Sequence, residues 1–574
     1  MAALPKFANT NALWAAVATQ TLQKLGVKQV VISPGSRSTP LACAFASNPA
    51  FAVTVALDER SAGFIALGQS KAQGFPSVLL CTSGTAGANY LPALIEARLS
   101  QTPLLVLTAD RPPELRHCHS GQTIEQNGLF GAYPVWSVEA GVPSQEVGLL
   151  RHWRQLWVDA FQRSLGPQIG PVHLNLPFRD PLTPSTPEKG FKTPPEVQKE
   201  GFFSTLRVPH FQPGIPVNQV AALLPSSSAG VIIVGPHHFG QRTYAADAIA
   251  ELSAVTGWPI LADGAGTLRG DLATHPNLVT TYDLILRQKK FARALAPKVV
   301  VQIGPLPTSK VLRSWLTANE PEGLQLGRPG ENLDPTHGKW RRVDADLVPS
   351  AQSKPVQVKT SPQLKTWQSL QLKAQKNLNK ISQTAWAFEG RTVVELARHL
   401  SPQDFLVVGN SMPIRDLEWF YQPTEAGPTV ITNRGANGID GTVSTALGVA
   451  QQGRPTYLLC GDLAFLHDSN ALLSAQGTTP LTIIVINNQG GGIFNHLPVR
   501  AETDLFEKLW GTPQVTDLGK LCAAHQVSHT KVKTWSQFSA LLKKKTSRVR
   551  VLEIRTNRQK DAAYRLQSLN RALT

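Results

Sequence analysis

The chain has few cysteines and no long hydrophobic run. Its five cysteines are odd in number and lie far apart, at positions 43, 81, 118, 460 and 522. A disulfide framework is therefore not expected, and scattered free thiols are typical of a reducing compartment. The longest apolar runs, such as Ile483–Ile486, are too short to cross a membrane, and the N-terminus shows no secretory signal. These absences predict a cytoplasmic protein.

Acidic residues are also scarce relative to basic ones. Lys and Arg total 56 against 39 Asp and Glu, which gives a net charge of +17. Such an excess can indicate nucleic-acid binding, and the densest basic cluster is Lys543–Lys545 with Arg548 and Arg550. No nucleic-acid-binding motif accompanies that cluster, so a solvated helix end is the better interpretation. The charge can instead steer anionic substrates towards a cleft. We expect neither nucleic-acid nor membrane partners.

Most of the 574 residues alternate between helix-like and strand-like segments. Short apolar strands separated by helical patterns predict parallel sheets that are covered on both faces. Two stretches rich in proline or polar residues, Asp180–Gly201 and Val348–Lys365, are interpreted as linkers. The predicted fold class is α/β, with doubly wound parallel-sheet domains at residues 1–182, 205–347 and 385–574.

The strand candidates are short and apolar, and most end in a glycine or a small polar residue. They are Val30–Ser33, Val53–Leu57, Val78–Thr82, Leu104–Thr108, Gly230–Gly235, Pro259–Gly264, Lys298–Gly304, Phe405–Gly409, Thr429–Thr432, Thr456–Cys460, Leu481–Asn487 and Val549–Ile554.

Asp462 and Asn488 each follow a strand candidate, and the segment between them has room for one helix and one strand of a βαβ unit. Both side chains would then emerge at the carboxyl ends of neighbouring parallel strands, where open α/β sheets bind ligands. A carboxylate, an amide oxygen and a carbonyl from the glycine-rich stretch after Asn488 suit Mg²⁺. The alternative is that both are ordinary residues of βα loops.

Glu59 lies just after the strand candidate Val53–Leu57. A glutamate at the carboxyl end of a strand, facing a cleft, is well placed for acid–base chemistry. The alternative is that Glu59 caps the helix that follows.

Two arginines follow strand candidates of the same predicted sheet. Arg37 lies in the small-residue segment SPGSRSTP (33–40), and Arg111 lies in TADRPP (108–113). Backbone N–H groups and guanidinium groups at one sheet edge suggest a carboxylate or phosphate ligand. The alternative is that Arg111 pairs internally with Asp110 or Glu114.

Two further loops have the composition of a ligand cradle. Asn433–Gly441 carries glycines that allow close approach of the backbone, and it opens a helix whose N-terminus favours negative charge. Gly409–Arg415 has the same position after its own strand candidate. Either cluster alone could be a tight βα turn. Ser83, in CTSGTAG, lacks the frame of a hydrolase nucleophile and is interpreted as a turn residue.

The order of these motifs resembles one family. SPGSRSTP, LDERSAGF, TSGTAGAN, LTADRPPEL, NRGANGIDG, GDL and NNQGGGIF follow one another between Ser33 and Pro498, as they do in the 2-succinyl-5-enolpyruvyl-6-hydroxy-3-cyclohexene-1-carboxylate synthases. These thiamine diphosphate-dependent transferases act in menaquinone or phylloquinone biosynthesis. The alternative is another thiamine diphosphate carboligase or decarboxylase, such as an acetolactate synthase, which would leave Arg37 and Arg111 unexplained.

The resemblance implies the domain roles and the cofactor. The N-terminal domain would bind the pyrimidine of thiamine diphosphate, and the C-terminal domain its diphosphate, with a middle domain between them. The cofactor would lie between two subunits of a homodimer or a dimer of dimers. Glu59 would be the catalytic glutamate that hydrogen-bonds the pyrimidine ring. Asp462, Asn488 and the Gly490 carbonyl would bind Mg²⁺ or Mn²⁺. Ile439 would be the apolar wedge under the cofactor, and further contacts would come from Ser411, Gly461, Leu463 and Ile493.

The same resemblance assigns 2-oxoglutarate and isochorismate as substrates. The residues implied to hold their carboxylates or polar groups are Ser36, Arg37, Arg111, Gln122, Lys310, Ser411, Arg415 and Arg434; those of the apolar wall are Ile493, Phe494 and Leu497. The chain departs from the family pattern in two places. Gly492 stands where a Gln can occur, and Val311 replaces the Arg that often follows the lysine, with Arg313 two positions later. Leu463 stands where the metal–diphosphate motif of thiamine diphosphate enzymes in general has Gly.

Overall fold

The computed structural model describes residues 7–199, 201–204, 206, 214–225, 227, 229–236, 242–327, 332–351, 359–384, 386–571 and 573. The chain divides into two compact units. The N-terminal unit comprises Met1–Phe211, Arg434–Gln452 and Asn470–Ser474. The C-terminal unit comprises Gln212–Asn433, Gly453–Ser469 and Ala475–Thr574. The predicted domain starts at 205 and 385, and part of the second predicted linker, lie outside the described residues.

The N-terminal unit is built on a parallel sheet that, within the described ranges, has six strands in the order β2-β1-β3-β4-β6-β5. The strands are β1 (Gln29–Ile32), β2 (Ala52–Val55), β3 (Ser77–Cys81), β4 (Leu104–Asp110), β5 (Trp136–Glu139) and β6 (Pro171–Pro177). The strand candidates in this region are confirmed to within a few residues. The sequence interpretation missed β5 and β6, because it ended the series at Thr108.

The C-terminal unit contains the remaining sheets, and its described strand pairings are all parallel. One sheet has the order β12-β11-β10-β8-β9, a short one pairs β13 with β7, and the last has the order β15-β14-β16-β17-β19-β18. The strands are β7 (Gly214–Pro216), β8 (Gly230–Val234), β9 (Ile260–Ala262), β10 (Val299–Ile303), β11 (Glu322–Gly327), β12 (Lys339–Asp344), β13 (Asp346–Val348), β14 (Phe405–Val408), β15 (Thr429–Thr432), β16 (Thr456–Gly461), β17 (Leu481–Asn487), β18 (Ser528–Val532) and β19 (Arg550–Arg555).

Helices cover the sheets and provide the other half of each core. They are α1 (Thr10–Lys24), α2 (Thr39–Ala46), α3 (Glu59–Gln73), α4 (Thr85–Ala88), α5 (Leu91–Leu99), α6 (Val147–Leu165), α7 (Pro195–Gln198), α8 (Gly201–Ser204), α9 (Val217–Leu223), α10 (Arg242–Thr256), α11 (Leu268–Asp271), α12 (Tyr282–Leu286), α13 (Lys289–Ala294), α14 (Lys310–Asn319), α15 (Pro362–Leu378), α16 (Glu389–His399), α17 (Met412–Phe420), α18 (Thr442–Ala450), α19 (Asp462–His467), α20 (Thr503–Phe506), α21 (Leu518–Ala524), α22 (Trp535–Lys543) and α23 (Arg558–Arg571).

The central strands of both large sheets are buried on both faces, as the apolar runs predicted. Every residue of β3, β4, β6 and β17 is buried. In the N-terminal unit, helices α1 and α6 cover one face of the sheet, where Trp14 stacks on Trp153 with ring centroids 4.7 Å apart. None of the helices in the described ranges combines the length and the apolar character needed to cross a bilayer.

Helix α18 packs closely against α3 within the N-terminal unit. A Cβ atom on Gly68 of α3 would lie 2.1 Å from the carbonyl oxygen of Thr445 in α18, so no larger residue fits at this crossing. This contact joins the segment that follows the loop Asn433–Gly441 to the helix that begins at Glu59.

The first predicted linker is packed onto the N-terminal unit over much of its length. Asn9 donates to the carbonyls of Thr183 and Thr186 at 3.0 and 2.9 Å, and Asn11 donates to that of Pro181 at 2.9 Å. The many prolines predicted a spacer, but the backbone carbonyls of this stretch are bound by side chains at the start of α1.

Candidate active site

Arg37 and Arg111 face the same space at the carboxyl edge of the N-terminal sheet. The Arg37 side chain is mostly buried and donates to the Phe178 carbonyl at 2.9 Å, with Asp180 3.8 Å away. Burial lowers the pKa of Arg37, and the nearby positive charge of Arg111 lowers it further. Two cations held this close are stabilised by an anion placed between them.

Ser83 joins Arg111 to Gln122 at this edge. The Arg111 guanidinium donates to the Ser83 hydroxyl and, at 2.8 Å, to the Gly121 carbonyl. The Gln122 amide donates to the Ser83 carbonyl at 2.9 Å, and Gln122 has a φ of +56°. The turn interpretation of Ser83 thus missed a contact with two of the candidate substrate residues.

The carboxylates next to Arg111 in the sequence are occupied by other arginines. Asp110 lies 3.1 Å from the Arg116 guanidinium, and Glu114 lies 2.6 Å from that of Arg179. The internal pairing considered for Arg111 is therefore not the one that the side chains adopt.

Glu59 begins α3, and the helix is capped by its neighbour. The Asp58 carboxylate accepts from the Ser61 N–H at 3.2 Å and, through its other oxygen, from the Asn470 amide at 2.9 Å. Capping is thus provided by Asp58, which leaves the Glu59 carboxyl available for chemistry.

The loop that carries Arg434 is anchored to a buried ion pair in the same unit. The backbone N–H groups of Gly435 and Ala436 donate to the two carboxylate oxygens of Glu96 at 3.0 and 2.7 Å. Glu96 also accepts from Lys71 of α3 at 2.9 Å. Burial lowers the pKa of Lys71, and Glu96 opposes that shift. Arg434 and Ile439 therefore belong to the N-terminal unit, with Glu59.

Asp462 and Asn488 follow adjacent strands of the C-terminal unit. Strands β16 and β17 pair in register, with Gly461 opposite Ile486, so both side chains emerge at the same sheet edge. Asp462 accepts from the N–H groups of Leu463 and Gly490, each at 2.9 Å. Burial raises the pKa of Asp462 to about 6 even though these donors oppose the shift. A cation would stabilise this buried carboxylate in its charged form.

Gly490 cannot be replaced without moving the loop. Its φ is +137°, and a Cβ atom there would lie 1.9 Å from the carbonyl oxygen of Gly511. The glycine-rich run thus lets the backbone pass close to the Asp462 carboxylate.

The two adjacent asparagines are used differently. Asn487 donates to Glu553 at 2.8 Å, and its own oxygen accepts from the Gln489 N–H at 3.3 Å. Asn488 donates to Glu389 at 2.9 Å, but among the described residues its buried Oδ1 atom meets no hydrogen-bond donor. A buried oxygen without a donor is costly, unless a ligand supplies the missing contact.

These oxygens fit Mg²⁺ or Mn²⁺. In the part of the chain that the structure describes, no group of three His, Cys, Asp or Glu side chains could hold a metal ion. The Asp462 carboxylate and the Asn488 amide oxygen are donors of the kind that a hard cation takes, with water and phosphate oxygens as its other ligands.

Ser411 and Arg415 lie at the start of α17 in the C-terminal unit. Ser411 has φ +72° and ψ −127°, a strained conformation for a residue other than glycine. The Arg415 guanidinium donates back to the Ser411 carbonyl at 2.5 Å. Strain of this kind persists where the surrounding structure enforces it, which is common at ligand sites.

A cleft of about 390 Å³ in the same unit collects several candidate substrate residues. Lys310, Arg415, Ile493 and Leu497 line it, together with Arg287, His496 and Trp419. Phe494 lies between Ile493 and Asn495, which also lines it. Val311 lines the cleft as well, so the departure from the family pattern falls within it.

The candidate residues therefore form two groups. Those of the N-terminal unit are Ser36, Arg37, Glu59, Arg111, Gln122, Arg434 and Ile439; those of the C-terminal unit are Lys310, Ser411, Arg415, Gly461, Asp462, Leu463, Asn488, Gly490, Ile493, Phe494 and Leu497. Sequence reasoning missed Ser83 and Glu389, which contact Arg111 and Asn488, and the Lys71–Glu96 pair, which anchors the loop that follows Arg434. Only Ser83 gave a local signal, since it directly follows Thr82 at the end of a predicted strand.

Models of thiamine-dependent enzyme domains match three parts of the chain. Residues 14–129 match the N-terminal TPP-binding domain of thiamine pyrophosphate enzymes, residues 219–408 their middle domain, and residues 417–554 their C-terminal TPP-binding domain. The 2-succinyl-5-enolpyruvyl-6-hydroxy-3-cyclohexene-1-carboxylate synthase of Gloeothece citriformis is 42% identical over 98% of this chain and 99% of its own length.

The chain belongs to the 2-succinyl-5-enolpyruvyl-6-hydroxy-3-cyclohexene-1-carboxylate synthase family. It is a thiamine diphosphate-dependent enzyme of menaquinone or phylloquinone biosynthesis. The synthase of Synechococcus elongatus is 44% identical to it, over 97% of this chain and 95% of its own length.

A solved structure shares the fold. A thiamine diphosphate-dependent 4-hydroxybenzoylformate decarboxylase from Rhodococcus jostii superposes with a TM-score of 0.70 at 17% identity, over 95% of this chain and 99% of its own. At that identity the likeness concerns the fold alone. The predicted α/β fold with parallel-sheet domains is confirmed.

Proposed function

We propose that the enzyme decarboxylates 2-oxoglutarate with thiamine diphosphate and adds the resulting succinyl-semialdehyde carbanion to isochorismate. The products are 2-succinyl-5-enolpyruvyl-6-hydroxy-3-cyclohexene-1-carboxylate and CO₂. The observation that carries this proposal is the Arg37–Arg111 pair at the N-terminal sheet edge, where burial and mutual repulsion favour a bound anion. Both proposed substrates are dicarboxylates, whereas an acetolactate-type enzyme would leave this pair without a purpose.

We propose that the cofactor lies between two subunits. Asp462, Asn488 and the Gly490 carbonyl are proposed to bind Mg²⁺ or Mn²⁺, with Gly461, Leu463, Ser411 and Ile493 contacting the cofactor. When bound, thiamine diphosphate supplies a thiazolium ring that takes up the electron pair left by decarboxylation. Glu59 is proposed to exchange a proton with the pyrimidine ring, since Asp58 performs the capping role. Ile439 supplies an apolar support.

The substrates would contact both polar or positively charged side chains and a wall of apolar side chains. The residues proposed to hold the substrates are Ser36, Arg37, Arg111, Gln122, Lys310, Ser411, Arg415 and Arg434. Arginine suits this task because its planar fork binds a carboxylate through two hydrogen bonds. Ile493, Phe494 and Leu497 are proposed to exclude water, which favours loss of CO₂ from a carboxylate that enters a dry site.

We propose that the active unit is a homodimer or a dimer of dimers. Val55 and Leu57, which precede Glu59, are 63% and 69% exposed, and Leu473 of the same unit is 46% exposed. Apolar side chains at such positions favour burial by another surface. Thus Glu59→Gln and Asp462→Ala subunits, each inactive alone, should recover activity when mixed. No recovery despite demonstrated subunit exchange would place both halves of the site in one chain.

The domain limits and the compartment are also part of the proposal. The three domains would extend over residues 1–182, 205–347 and 385–574. Each overlaps one of the segments that match the three domain models, of which the middle one runs on to residue 408. The five thiols are free, and Cys43 and Cys118 are exposed, which suits the cytoplasm.

The reaction is tested with purified enzyme, thiamine diphosphate and Mg²⁺. We expect isochorismate and 2-oxoglutarate to be consumed in equal amounts, with one CO₂ released and the product mass detected. Pyruvate in place of 2-oxoglutarate is the control for an acetolactate-type activity. Faster turnover of pyruvate, or no loss of isochorismate, would contradict the proposal.

A further inference from the structure

Glu389 is a buried glutamate that contacts Asn488 from a distant part of the chain. It begins α16, and its side chain is 3% exposed. Its Oε1 atom accepts from the Asn488 amide at 2.9 Å and from the Thr556 hydroxyl at 2.8 Å. Because Glu389 Oε1 is the acceptor in this contact, the Asn488 amide nitrogen faces Glu389 and its oxygen faces away.

The orientation of Glu389 is itself enforced by the C-terminal helix. Arg565 of α23 is fully buried and lies 3.5 Å from Glu389 Oε2, and it also pairs with Asp416 and Asp561. Asp561 accepts from the Glu389 backbone N–H at 2.8 Å. The Phe388 ring lies 5.2 Å from the Arg565 guanidinium. The carboxylate therefore has fixed partners on both sides.

Gly492 leaves the space that this contact needs. A Cβ atom on Gly492 would lie 2.7 Å from the Asn488 Nδ2 atom, closer than side-chain contacts allow. The chain thus has glycine at the position where a larger residue would push the amide away from Glu389.

We propose that Glu389 is a positioning residue that fixes the amide of Asn488 with its oxygen towards the cation, and that Arg565 holds Glu389 for this task. This rests on the proposed role of Asn488 as a metal ligand. Glu389 does not touch the cation. A partner of this kind pre-orients a ligand, and its loss typically weakens metal affinity by about 10- to 100-fold.

The neighbouring asparagine provides a matched control. Asn487 donates to Glu553 in the same way, at 2.8 Å, and Glu553 is as buried as Glu389. The Asn487 oxygen, however, already accepts from the Gln489 N–H. Glu389→Gln and Glu553→Gln are therefore the same chemical change at adjacent asparagines, and only the first should affect the metal.

The experiment titrates Mn²⁺ into full-length enzyme with thiamine diphosphate present and follows the free Mn²⁺ signal by electron paramagnetic resonance. We expect Glu389→Gln to weaken Mn²⁺ binding by about 10- to 100-fold, with turnover recovering at high metal concentration. Glu553→Gln should change the melting temperature without changing Mn²⁺ affinity. Wild-type affinity in a folded Glu389→Gln variant would overturn the inference.

A charge swap keeps the test decisive if Glu389→Gln folds poorly. Asn488→Asp alone would set two carboxylates against each other, and it should weaken Mn²⁺ binding although Asp is a good ligand. Adding Glu389→Gln restores a donor–acceptor pair and should recover affinity. Additive losses in the double variant would overturn the inference.

Asp462→Ala separates this inference from the proposed function. Tight Mn²⁺ binding in that variant would show that the metal site itself is wrongly assigned. Loss of binding in Asp462→Ala together with wild-type affinity in Glu389→Gln would overturn only the role of Glu389.

Discussion

The two large sheets have the same strand order, but the side chains at their carboxyl edges differ in charge. In each, the described strands run second, first, third, fourth, sixth and fifth along the sheet. The edge of the N-terminal sheet presents Arg37 and Arg111, whereas the edge of the C-terminal sheet presents Asp462 and Asn488. The backbone topology therefore sets where the candidate residues lie, and the few residues that follow each strand decide the charge of that edge.

The two edges also differ in what balances their charges. The hydrogen bonds of Arg37 and Arg111 go to carbonyl and hydroxyl oxygens, and the Asp180 carboxylate, 3.8 Å from Arg37, is largely exposed to solvent. Among the described residues, the hydrogen bonds that Asp462 accepts come from backbone N–H groups. Each edge is therefore suited to a ligand of opposite charge, which would offset the cost of burying the charged side chains.

The largest effect is expected when the edge of the C-terminal sheet loses the negative charge of Asp462. Asp462→Ala should abolish turnover and weaken thiamine diphosphate binding by more than about 100-fold at fixed Mg²⁺, since it removes the charged ligand itself. Calorimetric titration of the cofactor checks this. Asp517→Ala, which removes a carboxylate that caps α21 on the surface, is the control. Normal cofactor affinity in Asp462→Ala would show that the C-terminal sheet edge does not bind the cation through Asp462.

Glu59→Gln should separate cofactor binding from cofactor activation. The change keeps the shape of the side chain but replaces the ionisable carboxyl group by an amide, which cannot take part in acid–base chemistry. We therefore expect kcat to fall by about 10²- to 10⁴-fold with little change in cofactor affinity. Hydrogen–deuterium exchange at C2 of the bound cofactor measures the step directly. Asp58→Asn is the control, because Asn also caps helices. Unchanged exchange in Glu59→Gln would remove its catalytic role.

At the edge of the N-terminal sheet, activity should depend on the shape of the arginine side chains as well as on their positive charge. Arg37→Ala and Arg111→Ala should each cost about 2–5 kcal/mol, or roughly 30- to 5000-fold in kcat/KM. Arg37→Lys and Arg434→Lys should also be impaired, because lysine lacks the planar fork. Cofactor binding should survive. Arg179→Lys, in a surface pair with Glu114, is the control. Wild-type kinetics in all these variants would make the arginines structural.

The smallest effect is on the stability of the protein at low pH, and it concerns a buried histidine in the N-terminal sheet. His173 of β6 bonds to the Thr108 hydroxyl at 2.8 Å, and burial lowers its pKa from 6.5 to about 4. The unfolded chain therefore binds a proton before the folded one does. The free energy of unfolding should fall as the pH is lowered from about 6.5 to about 4, by at most about 1.4 kcal/mol per pH unit.

Denaturant titrations across this pH range test the effect. His173→Gln should show a shallower pH dependence than the wild type, and His152→Gln, which changes an exposed histidine of α6, should not. Identical slopes for His173→Gln and the wild type would assign the acid sensitivity to other groups.

Local pattern was sufficient to locate most strands and the loops after them. The apolar runs at β3, β4, β16 and β17 are buried on both faces, so their composition alone marks them. Strand β18 has mixed polarity and lies at an edge, and it was missed. The packed course of Asp180–Lys199 was also missed, because it depends on side chains at the start of α1.

The sequence by itself determined that Arg37, Arg111, Asp462 and Asn488 follow strands and that their loops can approach a ligand, because strand ends and glycine-rich turns are local properties. It could not decide which side chains hold them. Glu389 and Asn488 are 99 residues apart, and Glu96 and Gly435 are 339 apart. Such partners meet only in the folded chain, because a buried donor or acceptor pairs with a polar group that tertiary packing places beside it.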